Sequence, residues 1–147
     1  FVTKKIILAM CNIKKGKQKK LYLGNLNAKR DWGHSKDSVI AMWKMLQQPE
    51  PKDYVISTGN QYSIKEFVNK TANVLRMKIK WKGKGFKEKG LWNNKEIISI
   101  DKKYFRPTEV DSLRGNSKLA QKELNWKPKY NVNSLIMEMV KDEYKKK

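Results

Sequence analysis

Apolar residues fall at helical spacing from the first positions of the chain, with Val2, Ile6, Ala9, Met10 and Ile13 on one stripe. Gly16 follows Lys14-Lys15 where a helix C-cap favours glycine, so an opening helix ends there. Leu21-Tyr22-Leu23-Gly24 reads as a short strand entering a turn around Asn25 and Asn27, and Arg30-Asp31-Trp32 returns as an extended piece. A second helix is expected from Asp37 as N-cap, with Val39, Ile40, Trp43 and Leu46 on its apolar stripe, stopping before Pro49-Glu50-Pro51. Tyr54-Val55-Ile56-Ser57 has the look of a strand, and Ser63-Ile64-Lys65-Glu66 that of a capping box opening a helix lined by Ile64, Phe67, Val68, Thr71 and Leu75. Lys78-Ile79-Lys80-Trp81 and Ile97-Ile98-Ser99-Ile100 are strand-like, with a Gly- and Lys-rich mobile loop expected from Lys82 to Asn94. Two helices close the chain. One runs from Ser117 to Leu124 and leaves through a left-handed Asn125; the other runs from Val132 to about Tyr144 with Leu135, Ile136, Met139 and Val140 on one stripe.

Strands alternating with helices make this an α/β chain, although strands so short and few do not build a full doubly wound sheet. At 147 residues the length suits one domain or part of one. The chain begins at Phe1 without a signal-peptide pattern and is read as a fragment whose natural start is missing. No apolar run approaches the ~20 residues of a membrane span. Cys11 is the only cysteine and His34 the only histidine, which removes disulfide frameworks and CxxC or HxxxH metal spacings and suits a reducing, cytoplasmic setting. Cys11 lies in an apolar helical pattern with no activating base nearby, the pattern of a buried structural thiol.

A formal charge of +20 raises the question of nucleic acid. Arginine, the residue suited to bidentate phosphate contacts, occurs only at Arg30, Arg76, Arg106 and Arg114. The lysines run from Lys4 to Lys147 among many Asn and Ile, the composition of AT-rich coding drift, so surface drift is favoured over a nucleic-acid-binding module. Phosphate-cradling loops fail on inspection: Gly83-Lys84-Gly85-Phe86-Lys87-Glu88 has glutamate where a dinucleotide fingerprint needs its third glycine. No tyrosine is followed four residues later by lysine, and Asn69-Lys70-Thr71 is a chance sequon inside a helix.

Two polar loops remain. Residues 29–37 and 104–111 each hold one of the scarce arginines in an aromatic-flanked turn. Arg30 and Arg106 could fork onto a diphosphate, and Glu109 could accept from a pair of ribose hydroxyls. The structural alternative is intramolecular pairing, Arg106 with Asp111 and Arg30 with Asp37. The residues alone leave both readings open.

The blocks Phe1-Val2-Thr3-Lys4-Lys5-Ile6, Leu21 to Asp37, Tyr104-Phe105-Arg106-Pro107-Thr108-Glu109-Val110-Asp111 and Leu124-Asn125-Trp126-Lys127-Pro128-Lys129 resemble, in order, those of the GDP-mannose 4,6-dehydratase family of extended short-chain dehydrogenases/reductases. The resemblance implies that residues 1–147 are the C-terminal, nucleotide-sugar-binding portion of an NAD(P)-binding Rossmann-type fold, the dinucleotide-binding half lying upstream. It implies that Val2 and Lys5 contact the guanine end, that Arg30 and Arg106 hold the diphosphate and ribose region, and that Glu109 takes ribose hydroxyls. The implied reaction moves hydride from C4 of the hexose to NADP, loses the C6 hydroxyl as water with C5 deprotonated, and returns the hydride to C6. Its catalytic groups would lie N-terminal to Phe1, so no catalytic residue is assigned here, and the isolated chain is expected to be inactive. The complete enzyme is implied to be a cytoplasmic homo-oligomer, a dimer or tetramer, on the route to GDP-fucose. Another nucleotide-sugar dehydratase or epimerase is the alternative within the class. Asn27, Ser35, Ser38 and Asn133-Ser134 depart from the family pattern and leave Lys5, Arg30, Arg106 and Glu109 untouched. The opening helix, cut off from its sheet, is expected to expose its apolar stripe.

Overall fold

The opening helix shows how local signals and packing combine. In the computed structural model, which describes residues 1–106 and 108–145, α1 (Val2–Lys14) ends in a Schellman motif. Lys17 N–H donates to the Asn12 carbonyl at 2.8 Å and Gly16 N–H to that of Ile13 at 3.0 Å, with Gly16 at φ +73°. Ile6, Ile7, Ala9, Met10, Cys11 and Ile13 are buried. The expected exposed stripe is therefore absent, because α3 (Ile64–Val74) and β1 (Leu21–Leu23) cover it. Burial raises the Cys11 thiol pKa, with Glu143 nearby adding to the rise, as suits an inert core cysteine.

The chain forms two compact units, one of Phe1–Ala28, Ser63–Asp111 and Ile136–Lys147, the other of Lys29–Tyr62 and Ser112–Leu135. The first is a mixed α/β unit. Its four-stranded sheet has the order β1-β6-β5-β4, with β4 (Lys80–Lys82), β5 (Lys89–Trp92) and β6 (Lys95–Ile100) antiparallel in succession and β1 parallel to β6. Part of the expected loop is thus strand. Asn93 and Asn94, both at positive φ, make the tight turn between β5 and β6. A Cβ on Gly90 would come within 2.9 Å of Ile98 Cδ1 and 3.0 Å of its Cβ, so any larger residue would push the Ile98 side chain aside. The capping box of α3 is formed in both directions: Glu66 N–H donates to Ser63 Oγ at 3.1 Å and Ser63 N–H to Glu66 Oε2 at 2.7 Å. Ile64, Phe67, Val68, Thr71 and Leu75 are buried as the spacing predicts. Asn69 accepts from Trp81 Nε1 at 2.9 Å, a structural role for the sequon asparagine.

The second unit holds β2 (Lys29–Arg30), which pairs with β3 (Tyr62–Ser63), α2 (Ser35–Leu46) and α4 (Lys118–Glu123). Its core is small: Ala41, Ala120, Leu124 and Trp126, with Met45, Tyr54 and Ile56 against them. Two expectations fail here. The N-cap of α2 is His34, whose Nδ1 accepts from Lys36 N–H at 3.1 Å, and Asp37 lies inside the first turn. The inward face of α2 carries Asp37, Ala41 and Met45, leaving Val39, Trp43 and Leu46 at 62%, 61% and 82% exposure. Trp126 selects that face, because its ring needs the small Ala41 beside it and its indole N–H donates to the Asp37 carbonyl at 2.9 Å. Residues 54–57, expected as a strand, form none among the described residues. Asn125 takes the left-handed conformation expected of it, with φ +45°. The last helix, α5 (Val132–Lys145), buries Ile136 and Val140. Among the described residues, no helix is long and apolar enough to cross a membrane.

Candidate functional site

In the first unit the site begins at the end of β1. Asp101 N–H donates to the Leu23 carbonyl at 2.9 Å, carrying the β1–β6 pairing one step further. Asp101 then caps the single 3-10 turn Lys102–Tyr104 by accepting from Lys103 N–H at 3.0 Å. That turn presses on Gly24, where a Cβ would lie 2.3 Å from the Tyr104 carbonyl oxygen, a backbone contact no other residue type could make without displacement. The Tyr104 ring is thereby set beneath α1, and Lys5 Nζ stands 3.4 Å from the ring centroid. Val2, one turn earlier on the same helix face, is half-buried.

Past Tyr104 the chain turns back on itself, with Glu109 N–H donating to the Arg106 carbonyl at 3.2 Å. Pro107 lies outside the described residues. Arg106 is exposed, and its guanidinium makes no hydrogen bond or ion pair among the described residues. The suggested pair with Asp111 is not formed.

In the second unit Arg30 is half-buried on β2 and its Nη1 donates to the Lys29 carbonyl at 2.8 Å. The same carbonyl accepts from Leu113 N–H at 3.1 Å, joining β2 to the segment after the arginine-bearing turn. Asp31 fixes the neighbouring loop by accepting from Thr58 N–H at 3.1 Å, Gly59 N–H at 2.8 Å and the Thr58 hydroxyl. Arg30 does not pair with Asp37. That carboxylate is 3% exposed, and its Oδ2 accepts from Lys129 and Tyr130 N–H, each at 3.0 Å.

Sequence reasoning missed Arg114. Its Nε donates to the Gly59 carbonyl at 2.8 Å, so the Thr58–Gly59 turn is gripped by Asp31 at its amides and by Arg114 at its carbonyl. Arg114 borders a concavity of about 450 Å³ that also has Thr58, Asn116, Ser117 and Lys118 in its wall. The available signal was scarcity, since it is one of only four arginines.

The structure thus brings Lys5 to Tyr104 and the Arg106 carbonyl to the Glu109 amide, with Val2 on the face of Lys5, and places Arg30 on β2 of the second unit. Among the described residues no group of three His, Cys, Asp or Glu could hold a metal ion.

The sequence matches the family model described as GDP-mannose 4,6 dehydratase over residues 1–139. The chain is 50% identical over 142 residues to the GDP-mannose 4,6 dehydratase of Dictyostelium discoideum, covering 95% of the chain and 40% of that protein. With the human GDP-mannose 4,6 dehydratase it shares 47% over 142 residues, 95% of the chain and 38% of the relative. The chain therefore spans about 40% of the length of these curated relatives. Among solved structures, the NADPH complex of RMD from Pseudomonas aeruginosa superposes with a TM-score of 0.77 at 19% identity, over 98% of this chain and 42% of that one. The dTDP-glucose 4,6-dehydratase of Bacillus anthracis in complex with NAD follows with a TM-score of 0.66 at 24% identity, over 92% of this chain and 37% of that one. These likenesses establish the α/β fold of the Rossmann-type enzymes.

Proposed function

The chain belongs to the GDP-mannose 4,6 dehydratase family, and from that premise we propose that it is the part of such an enzyme that grips the GDP end of GDP-mannose. The observation that carries the reading is Arg106: an exposed guanidinium without a partner among the described residues, on a segment anchored through Gly24, Tyr104 and Asp101. A planar cation held out in this way suits a diphosphate. Arg30 would supply the second fork, Glu109 would accept from the ribose, and Lys5 with Val2 would meet the guanine. Lys5 keeps its charge close to an aromatic face, which fixes the ammonium without neutralising it. The complete enzyme would be a cytoplasmic homo-oligomer converting GDP-mannose to its 4-keto-6-deoxy product. The lone, buried Cys11 suits the reducing compartment.

NADP would supply the hydride chemistry in that enzyme. The described residues of this chain do not fit it: the glycines at 83 and 85 close a hairpin tip, not a phosphate-cradling loop before a long helix. No chemical step is therefore assigned to these residues, whose part is to bind and orient.

Replacing Arg30 or Arg106 by Lys keeps the charge and loses the fork, and each lost charge-assisted bond costs roughly 1.5–3 kcal/mol. Affinity for GDP-mannose is expected to fall on the order of ten- to a hundredfold, with the melting temperature nearly unchanged. Calorimetric titration beside a thermal melt checks this. A lowered melting temperature with intact affinity would return both arginines to a structural role.

A further inference from the structure

Strand periodicity gathers what the linear sequence disperses. Lys78, Lys80, Lys82 and Lys84 stand at every second residue along β4 and its flanks, Lys87 follows in the turn, and all five are exposed. None of them makes an ion pair among the described residues. The nearby acids are engaged elsewhere, Glu88 by Lys65 and Glu96 by Lys20 and Lys89. Because β4 is an edge strand, lysines there also discourage strand-to-strand aggregation. Edge protection does not account for Phe86, which is 55% exposed in the midst of these charges.

The Phe86 ring rests against Phe105, with centroids 4.8 Å apart, and Lys102 Nζ lies 5.4 Å from its centre. The turn that presents it is tightly built. Gly83 is at φ +82° where a Cβ would meet the Lys87 carbonyl oxygen at 2.3 Å, and Glu88 N–H donates to the Gly85 carbonyl at 3.1 Å. The result is an aromatic face at the end of a row of cations that make no ion pair among the described residues.

We propose that the β4 edge and the turn after it bind single-stranded nucleic acid, phosphates tracking the lysine row and a base stacking on Phe86. Alternate residues of a strand, here Lys80 and Lys82 of β4 with Lys78 before it and Lys84 after the bend at Gly83, are about 6.7 Å apart, close to the separation of neighbouring phosphates in an extended single strand. An aromatic platform beside a basic track is the arrangement that such strands require. A duplex would want an element that enters a groove, and a lipid surface would want a broad apolar face; this edge offers one ring.

The test is fluorescence anisotropy of a labelled oligothymidylate titrated with the 147-residue chain across a salt series. Glutamine at Lys78, Lys80, Lys82 and Lys84 together should lower the slope of log affinity against log salt by roughly 0.7 per lysine, near three in all. Phe86→Ala should weaken oligothymidylate binding about tenfold and leave inorganic polyphosphate binding unchanged. A control with glutamine at Lys17, Lys19, Lys122 and Lys127 removes equal charge elsewhere and should keep most of the affinity, with circular dichroism verifying that every variant is folded. Equal losses in the control, an unaltered Phe86→Ala variant, or binding to phosphatidylserine vesicles without binding to the oligonucleotide would overturn the proposal.

Discussion

Asp37 is the residue whose sequence reading and structural role differ most. A polar residue before an apolar run reads as an N-cap, and only the fold reveals that its carboxylate turns inward to hold two amides of residues 129 and 130. The same residue's carbonyl takes the Trp126 indole N–H, so one position fastens the chain after α4 to the start of α2. Oδ1 has no hydrogen-bond partner among the described residues, which leaves the two amides on Oδ2 as the stabilising contacts. Asp37→Ala would strand both donors in a part-buried setting, at roughly 1–3 kcal/mol for each unsatisfied group. We expect a loss of about 3 kcal/mol in urea unfolding; a change below about 0.5 kcal/mol would mean that water replaces the carboxylate at no cost. Arg30, Arg106 and Glu109 were legible as candidates because arginine is rare here and each loop is stiffened by aromatic or Pro neighbours. Arg114 lacked such a frame and passed unnoticed.

At the scale of elements, what the sequence reveals depends on whether a signal is local. The capping box of α3, the glycine stop of α1 and the left-handed Asn125 all act within a few residues and can be read directly. The burial of α2 cannot. Its stripe of Val39, Ile40, Trp43 and Leu46 is more hydrophobic than the inward face of Asp37, Ala41 and Met45, yet the partner Trp126, which sets the choice, lies more than eighty residues away. Strand β5 was hidden likewise, since Lys-Gly-Leu-Trp shows no alternation and its glycine answers to Ile98 on the next strand. Gly24 extends this reasoning to function. It touches no candidate ligand group, but its missing side chain admits the Tyr104 carbonyl and so positions the turn that carries Arg106 and Glu109. In Gly24→Ala a backbone segment must shift, and GDP-mannose affinity should drop at least tenfold through loss of positioning. Titration of the variant would show otherwise if affinity stayed within twofold of the unmodified chain.

For the whole molecule, charge is the property that sequence reports most directly and explains least. Thirty-four Lys and Arg face fourteen Asp and Glu, so even complete pairing would leave the fold under repulsion. Glu96 stands among several donors: hydrogen bonds from Lys20, then Lys89, then Ser99 hold its pKa down at about 2 from an ordinary 4.5, and the Lys20 contact raises the pKa of that lysine. A depressed carboxylate stabilises the fold above its unfolded pKa and ceases to do so as pH falls through the folded value. The window of loss is therefore pH 4.5 down to about 2. Acid also drives the net charge above its formal +20, so network loss and repulsion destabilise together. Salt separates them, because it relieves repulsion while weakening a partly exposed ion pair worth about 1 kcal/mol or less. With some twenty uncompensated charges, relief should win, and the melting temperature at pH 3 should rise as sodium chloride is added. Glu96→Gln should have a shallower acid limb than the unmodified chain and gain as much from salt. A melting temperature that falls with salt at pH 3 would show that specific pairs, not the excess of lysine, govern stability.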